Sequence, residues 1–536
     1  MSDSEPATPK IDSHGQMLGH PVGLFYLFFA ELWERFSFYG MRALLTLYLV
    51  DELFKDMANG KDVAIEIYAA YGSLVYFTPA IGGMIADRLI GHKNSIMLGG
   101  ILMCIGHFTM AFENTTVFYA SLGLLIIGNG FFKPNISSLV GGLYEQGDIR
   151  RDAGFTIFYL GINLGAFLAP LLCGWLGKTY GWHYGFAAAG IGMAVGVIVF
   201  WLGGIKGIYG DQGDQPEEYR DKSYFGLNVR HIVYIASFLF VPLFAFLVQK
   251  NQYKVVGETG LLAFLLWSLL AMVLVYITYV CATSDKITRN RLLVVVVLTF
   301  FVTVFWAFFE QAGSSLTLFA EEQVNLVFLN ASQANAINPG YIILLAIPFS
   351  MMWNYLDKRN LNPNTMVKFG LGILQLGLGF LVFALSARYM DDAGKVGMIF
   401  LMIGYLFITS GELFLSPIGL SKVTELSPAK LVSFMMGVWF LSSSFAHYIA
   451  GIIAKLTTGG DGHGGEAEEG AAEATSTLTQ YAQSITGTAE AGASDSVVNL
   501  MNYCGVFAQI AIISFVIGAF AIIISPIIKR MMHGIK

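Results

Sequence analysis

Apolar runs about 20 residues long, the length of helix that crosses the hydrocarbon core of a bilayer, recur along nearly the whole of this chain. With 55% hydrophobic and 13% charged residues and a mean hydropathy of +0.62, its 536 residues are far more apolar than a soluble protein of that length keeps in water. The runs predict spans at 22–50, 64–88, 95–113, 116–140, 153–177, 183–203, 229–249, 258–281, 292–320, 339–357, 365–387, 397–425, 430–456 and 500–528, fourteen in all. The fold class is therefore an all-α membrane protein with no separate soluble domain. Met1 to Gly19 is polar and lacks the basic, apolar, small-residue order of a cleavable signal, so the first span is expected to remain in the mature protein.

Basic residues orient the spans. Arg88 and Lys93, Arg150 and Arg151, Lys206 with Arg220 and Lys222, Lys286 with Arg289 and Arg291, Lys358 with Arg359, Lys422 with Lys430, and Lys529 with Arg530 fall in every second connection or at the C-terminal end. The positive-inside rule then places both termini in the cytoplasm of a multi-pass protein of the cell (inner) membrane. The opposite connections agree, since 321–338 has no Lys or Arg and 457–499 is acidic. Thr457 to Ser496 is rich in Gly, Ala, Glu, Ser and Thr with almost no aromatic residues, so 457–499 is expected to be a flexible outward-facing loop.

The polar stretch 204–228 and the hairpin of spans after it divide the remaining twelve spans evenly. The expected organisation is a cytoplasmic tail at 1–21, a six-helix bundle at 22–203, a linker with two extra helices at 204–290 and a second six-helix bundle at 291–536. Two pseudo-symmetric halves suit a carrier with its substrate site near the midplane between them. The net charge of −6 is spread over short loops with no basic stripe, which argues against nucleic acid. Cys104, Cys173, Cys281 and Cys504 lie in apolar runs without metal-ligand spacing and read as core packing.

The first span carries four charges in Glu31-Leu-Trp-Glu34-Arg35-Phe-Ser-Phe38-Tyr39-Gly40-Met-Arg42. At about 100° per residue Glu31, Glu34, Arg35, Phe38 and Arg42 share one helix face. A charge at the bilayer centre costs roughly 2.5 to 3.5 kcal/mol, so these groups face a cavity or each other. They read either as a static salt-bridge cluster or as a proton relay beside an anion site, with Arg42 placed to take a substrate carboxylate. Lys133, a cation within the apolar fourth span, is its candidate helper unless it merely snorkels. In the second half Glu310 and Glu412 are isolated intramembrane acids, either protonated and packed or ionised and functional. Cations in one half and acids in the other suit a zwitterion whose carboxylate meets Arg42 and Lys133 and whose ammonium meets Glu412. None of the nine histidines makes a convincing relay, and His447, within a span, reads as a satisfied core residue.

Over almost its full length the sequence closely resembles the proton-dependent oligopeptide transporters of the major facilitator superfamily. The first-span run resembles that family's ExxER motif followed by an aromatic pair and Gly. Gly128 through Lys133-Pro134-Asn135 and Phe158-Tyr159-Leu-Gly-Ile162-Asn163-Leu-Gly165 resemble its two signature segments. Asp87-Arg88-Leu-Ile-Gly91 is similar to the superfamily's loop between helices 2 and 3, with one residue more. The pair at 229–281 is similar to the inserted helices of prokaryotic members, and Trp306 with Glu310, Asn338-Pro339, Gly411-Glu412 and Trp439 with Ser442 to Ser444 complete the match. The resemblance implies two six-helix bundles plus a hairpin, and a monomer sufficient for proton-coupled import of di- and tripeptides by alternating access. It implies proton coupling through Glu31, Glu34, Arg35 and Glu310. It also implies a peptide held by Arg42, Tyr39, Tyr76, Lys133, Tyr159, Asn163, Trp306, Asn338, Glu412, Trp439 and Ser443. For the five aromatic residues of that set, sequence alone favours ordinary packing. By analogy Arg42 with Glu310, and Lys133 with Glu412, would exchange as gates. Two departures stand out: Phe38 fills the first position of the aromatic pair, and Ala69 stands where animal members carry a histidine used in coupling.

The resemblance leaves oligomeric state open, and nitrate or another small solute is the alternative cargo. No catalytic group, metal site or cofactor is expected, since HExxH, GxSxG and the phosphate-binding GK[ST] loop are all missing, which also disfavours an ATP-driven pump. A channel is disfavoured because the polar residues converge on one cavity rather than a continuous path.

Overall fold

In hydrocarbon no water takes up backbone N–H and C=O groups, so a spanning segment satisfies them within its own helix. The computed structural model describes residues 15–145, 148–220, 222–224, 226–428, 431–458, 469–490 and 492–535, and nearly all of these are helical. Most of the N-terminal tail expected at 1–21, and Lys430, lie outside the described residues. The chain forms two compact units, one holding the chain up to Leu44 with Leu74–Gln249, the other Leu45–Ser73 with the chain from Lys250 onward. These units are not bounded at 203 and 291: the division falls inside the first two helices and inside the hairpin.

The first unit contains most of α1 (Val22–Tyr48) and the second part of α2 (Gly60–Ile85), then α3 (His92–Met110), α4 (Thr115–Gly142), α5 (Arg151–Tyr180), α6 (Trp182–Ile205), α7 (Val229–Leu239) and α8 (Val241–Gln249). Asn114 caps α4, its side chain accepting from the Val117 amide at 3.0 Å. Gly181, at φ 119°, lets α5 turn directly into α6. The polar stretch after α6 clamps the start of α3 and the turn before it: Lys93 pairs with Asp214 at 2.7 Å, and Gln215 donates to the Leu89 carbonyl at 3.1 Å. Val241 joins a buried cluster with Ile90, Leu98, Leu102, Leu124, Ile127 and Phe131, which seats α8 on α4.

The second unit contains the first part of α2, then α9 (Leu261–Thr283), α10 (Lys286–Phe309), α11 (Ser315–Gln323), α12 (Ile337–Lys358), α13 (Thr365–Leu385), α14 (Met398–Leu426), α15 (Val432–Lys455), α16 (Glu469–Thr486) and α17 (Asp495–Met531). Residues 45–73 belong here because polar contacts tie them to it: Thr46 donates to the Gly313 carbonyl at 2.7 Å, Ser73 to the Ser444 carbonyl at 2.9 Å, and Lys61 pairs with Glu322 at 2.7 Å. Asp285 caps α10, and hydrogen bonds from Thr288 and then Ile287 hold its carboxyl below the usual carboxylate range. α9 packs on α15 through edge-on ring contacts of Trp267 with Phe445 and Tyr276 with Phe434.

Apolar residues face outward as well as inward, as lipid contact requires. On α17 Val516, Phe520, Ile523 and Ile527 form an exposed stripe, while Ser514, Gly518, Ala521 and Ser525 are buried. Small residues inward let helices close without a hydrophobic drive between them. Among the described residues twelve helical stretches are long and apolar enough to cross a membrane, against the fourteen spans expected. The two others are α1, whose Glu31, Glu34, Arg35 and Arg42 interrupt it, and α3, which opens on His92-Lys93-Asn94.

One expectation is corrected. Residues 469–486, placed inside a flexible loop over 457–499, form the 18-residue helix α16; Gly459 through Glu468 lie outside the described residues. Low aromatic content masked a run of Ala, Gln and Thr whose cost of ordering is offset from outside the segment. Ala482 is buried, Gln509 of α17 donates to Thr479 at 3.4 Å, and Arg388 donates to the terminal carbonyls of Ser484 and Ile485 at 2.7 and 2.6 Å. Arg388→Ala removes that C-terminal cap and is expected to cost α16 about 1 kcal/mol, read as faster amide hydrogen exchange confined to 469–486; unchanged exchange there would show that the cap is not what holds the helix.

Candidate functional site

In the first unit the helical phase of α1 brings its charges to one face. Arg35 Nε and Nη2 donate as a fork to Glu34 Oε2 and Oε1, and Nε lies 3.5 Å from Glu31 Oε1. Glu34 is fully buried, with 0% of its side chain exposed. The arginine also lies 5.0 Å from the Phe38 ring centroid and 6.0 Å from that of Tyr39, and Arg42 lies 5.8 Å from the same Tyr39 ring. Glu31 Oε2 is buried without a hydrogen-bond partner.

Gly165 of α5 makes this packing possible. A Cβ there would overlap the Leu32 carbonyl and press on the Arg35 side chain, so α5 meets α1 backbone to backbone beside the charges. Two residues earlier Asn163 donates to the Tyr159 carbonyl at 3.0 Å and is buried, while Tyr159 is exposed. On α4 Lys133 lies 4.5 Å from the ring centroid of Tyr76. Glu31 and Glu34 against Arg35, Arg42 and Lys133 leave this set of side chains with one positive charge in excess.

Asn129, not singled out in the sequence reading, belongs to the same cluster. Its amide donates to Glu34 Oε1 at 3.4 Å and its Oδ1 is buried without a partner. The signal was present as an asparagine in the apolar run Ile126-Ile127-Gly128-Asn129-Gly130.

The second unit supplies acids. Asn338, at the start of α12, donates from Nδ2 to Glu412 Oε2 of α14 at 3.0 Å and to Thr409 Oγ1 at 3.0 Å, so the carboxylate is buried but oriented by a neutral amide. Glu310 opens a single 3₁₀ turn, Glu310–Gly313, that ends α10. Its Oε2 lies 3.3 Å from His447 Nε2 of α15, and the ring's Nδ1 lies 2.9 Å from the Ser443 carbonyl. Ser443 therefore contributes through its backbone. His447, expected to be an inert core residue, is instead a direct partner of Glu310, a pairing hidden in sequence because 137 positions separate them.

Trp306 meets Phe305 and Phe309 edge-on at 5.5 and 4.9 Å, and the Trp439 ring fills the space that a side chain on Gly419 would need. Trp306 and Trp439 are only half-buried. Among the described residues no group of three or more His, Cys, Asp or Glu is placed to hold a metal ion.

The sequence model of the POT family matches residues 93–469. The chain is 35% identical over 99% of its length, and 99% of the other's, to a Bacillus subtilis protein named uncharacterized transporter YclF. It is 36% identical over 82% of its length and 90% of the other's to a di-/tripeptide transporter of Lactococcus lactis. The crystal structure of a peptide transporter POT in complex with sulfate superposes with a TM-score of 0.76 at 32% identity, covering 97% of each chain.

Removing one partner of the α1 cluster exposes its energetics. Arg35→Met leaves two carboxylates buried and is expected to destabilise the protein by about 3–5 kcal/mol. The double variant Glu34→Leu/Arg35→Met should recover most of that loss in thermal unfolding in detergent; a double variant no more stable than the single one would mean that the charges are not mutually compensating.

Proposed function

The chain belongs to the POT family, and we propose that it is a proton-coupled symporter that imports di- and tripeptides by alternating access. The observation that carries this reading is the separation of charge: an excess cation among Glu31, Glu34, Arg35, Arg42 and Lys133 in one unit, and the Asn338-oriented carboxylate of Glu412 in the other. A short peptide is a zwitterion with its charges held apart by its backbone. Arg42 and Lys133 match its carboxylate, and Glu412 its ammonium. Tyr39, Tyr76, Tyr159, Trp306 and Trp439 offer apolar faces with polar tips, which accept varied side chains without reading any one of them. Nitrate has no ammonium and gives the carboxylate of Glu412 nothing to bind. The di-/tripeptide transporter of Lactococcus lactis supports the same cargo.

Electrostatics gives the coupling a direct mechanism. A proton taken up by Glu31 or Glu34 raises the positive excess of the first cluster from one to two, so the peptide carboxylate binds more tightly to the protonated carrier. By linkage the peptide holds the proton equally well. An inward gradient of one pH unit supplies about 1.4 kcal/mol per proton, enough for about tenfold accumulation of peptide at one proton each. Glu310 is the coupling acid of the second unit. No cofactor takes part; the proton gradient is the energy source, and one chain suffices.

The charged α1 and the short α3 cross the membrane with the twelve more apolar stretches, because their polar groups face protein. That gives fourteen spans as six, an inserted two and six, with both termini in the cytoplasm and the protein in the cell membrane, the inner one where there are two.

Uptake of labelled dialanine into proteoliposomes under an imposed inward proton gradient tests the reading. Accumulation is expected in wild type, abolished by protonophore and lost in Glu34→Gln; a well-folded wild type that takes up no peptide would overturn it. Recognition of the ammonium is tested separately. Glu412→Gln is expected to weaken a free-amine dipeptide at least about tenfold while changing an already weak N-acetylated one little, and an equal loss for both would remove Glu412 from that role.

A further inference from the structure

His447 has no part in the scheme above, yet the second unit places it 3.3 Å from Glu310. A carbonyl oxygen only accepts, so His447 Nδ1, 2.9 Å from the Ser443 carbonyl, carries a hydrogen. Nε2 is then either a lone pair or the site of a second proton. Its neighbour at 3.3 Å is Glu310 Oε2. A lone pair facing a carboxylate oxygen is repulsive, so this contact is favourable only when one proton lies between the two atoms. That proton is either the acid hydrogen of Glu310 donated to Nε2 or the imidazolium hydrogen donated to the carboxylate. Side-chain exposures of 6% and 4% leave no room for bulk water to do the same work.

The surroundings fix the ring in that position. A side chain on Gly72 of α2 would overlap the imidazole, so the ring is seated against bare backbone. Ser73 donates to the Ser444 carbonyl at 2.9 Å beside it, and Gln311, next to Glu310, donates to the Ala450 carbonyl at 3.0 Å. α2, the 3₁₀ turn after α10, and α15 are thereby locked together around the pair. Titratable groups on the faces packed here include Tyr68 of α2, whose hydroxyl lies over Gly313, and the Glu66–Lys455 ion pair, which begins two helical turns beyond His447, about 12 Å along the axis. Lys455 and Glu66 neutralise each other, and Trp267 of α9 meets α15 at Phe445 with no charge.

We propose that His447 is a positioning residue for proton coupling: it shares one proton with Glu310 while α2, α10 and α15 are packed together, and forces that proton onto one partner when they separate. The proposal rests on the reading of Glu310 as a coupling acid. The covalent balance is simple, one O–H or N–H bond broken as the other forms, with no other reactant.

The test compares two rates in proteoliposomes over a series of external pH values: dialanine accumulation driven by an inward proton gradient, and dialanine counterflow without a gradient. In His447→Gln, which keeps a polar group of similar reach but cannot hold the proton, the ratio of accumulation to counterflow is expected to fall about tenfold and its pH profile to move. Gly72→Ala keeps both titratable groups but displaces the ring, and its ratio should fall in the same direction, which keeps the idea testable should His447→Gln fail to purify. A ratio and pH profile equal to wild type, whether both rates fall together or neither falls, would show that His447 only packs and would overturn the proposal while leaving the symporter standing. A wild type without gradient-driven accumulation would overturn the symporter reading, and this proposal with it.

Discussion

The fork from Arg35 to Glu34 is the interaction on which the first unit depends. Taking an ion out of water costs several kcal/mol, and α1 places four formal charges among apolar helices. Each charge of the fork offsets the cost of burying the other. Its demands spread outward: Asn129 of α4 serves the remaining lone pair of Glu34, the rings of Phe38 and Tyr39 face the guanidinium, and Gly165 lets α5 close over the cluster. The cluster is satisfied only in part, since Glu31 Oε2 and Asn129 Oδ1 are buried without partners. A purely structural salt bridge would gain from satisfying them. A site that must take up and give back a proton gains from leaving them open.

The second unit solves the same problem with weaker partners. Glu412 is held by the amide of Asn338 and Glu310 by the imidazole of His447, neither of which is permanently charged. Packing around these acids is made by serine hydroxyls on carbonyls and by glycines against rings, contacts that locate helices without large apolar interlocks. That is consistent with association in lipid, where apolar surface is not driven out of the solvent and close approach does the work.

Residues 45–73 show how far local chain order fails to predict partnership. They continue α1 and begin α2, yet their hydrogen bonds and ion pairs go to Gly313, Ser444, Glu322 and Lys455. Such long-range polar pairs leave no trace in a hydropathy pattern, because each half looks like an ordinary polar residue in or beside an apolar run. α16 was illegible for the same reason: its sequence lacks a large apolar face, and its anchors, Arg388 and Gln509, lie outside it.

The sequence by itself determined the membrane class, the positions of most helices and the charged residues within them, because hydrocarbon penalises every unmatched polar group and so makes each buried charge conspicuous in one dimension. Glu31, Glu34, Arg35, Arg42, Lys133, Glu310 and Glu412 needed no structure to be noticed. Their partners did. That Asn129 serves Glu34, that Asn338 orients Glu412 and that His447 meets Glu310 was decided by helix packing alone. Residues far apart along the chain come within hydrogen-bonding distance only once the helices have packed, as where Gly72 makes room for the His447 ring, and no periodicity along the chain encodes which faces will meet.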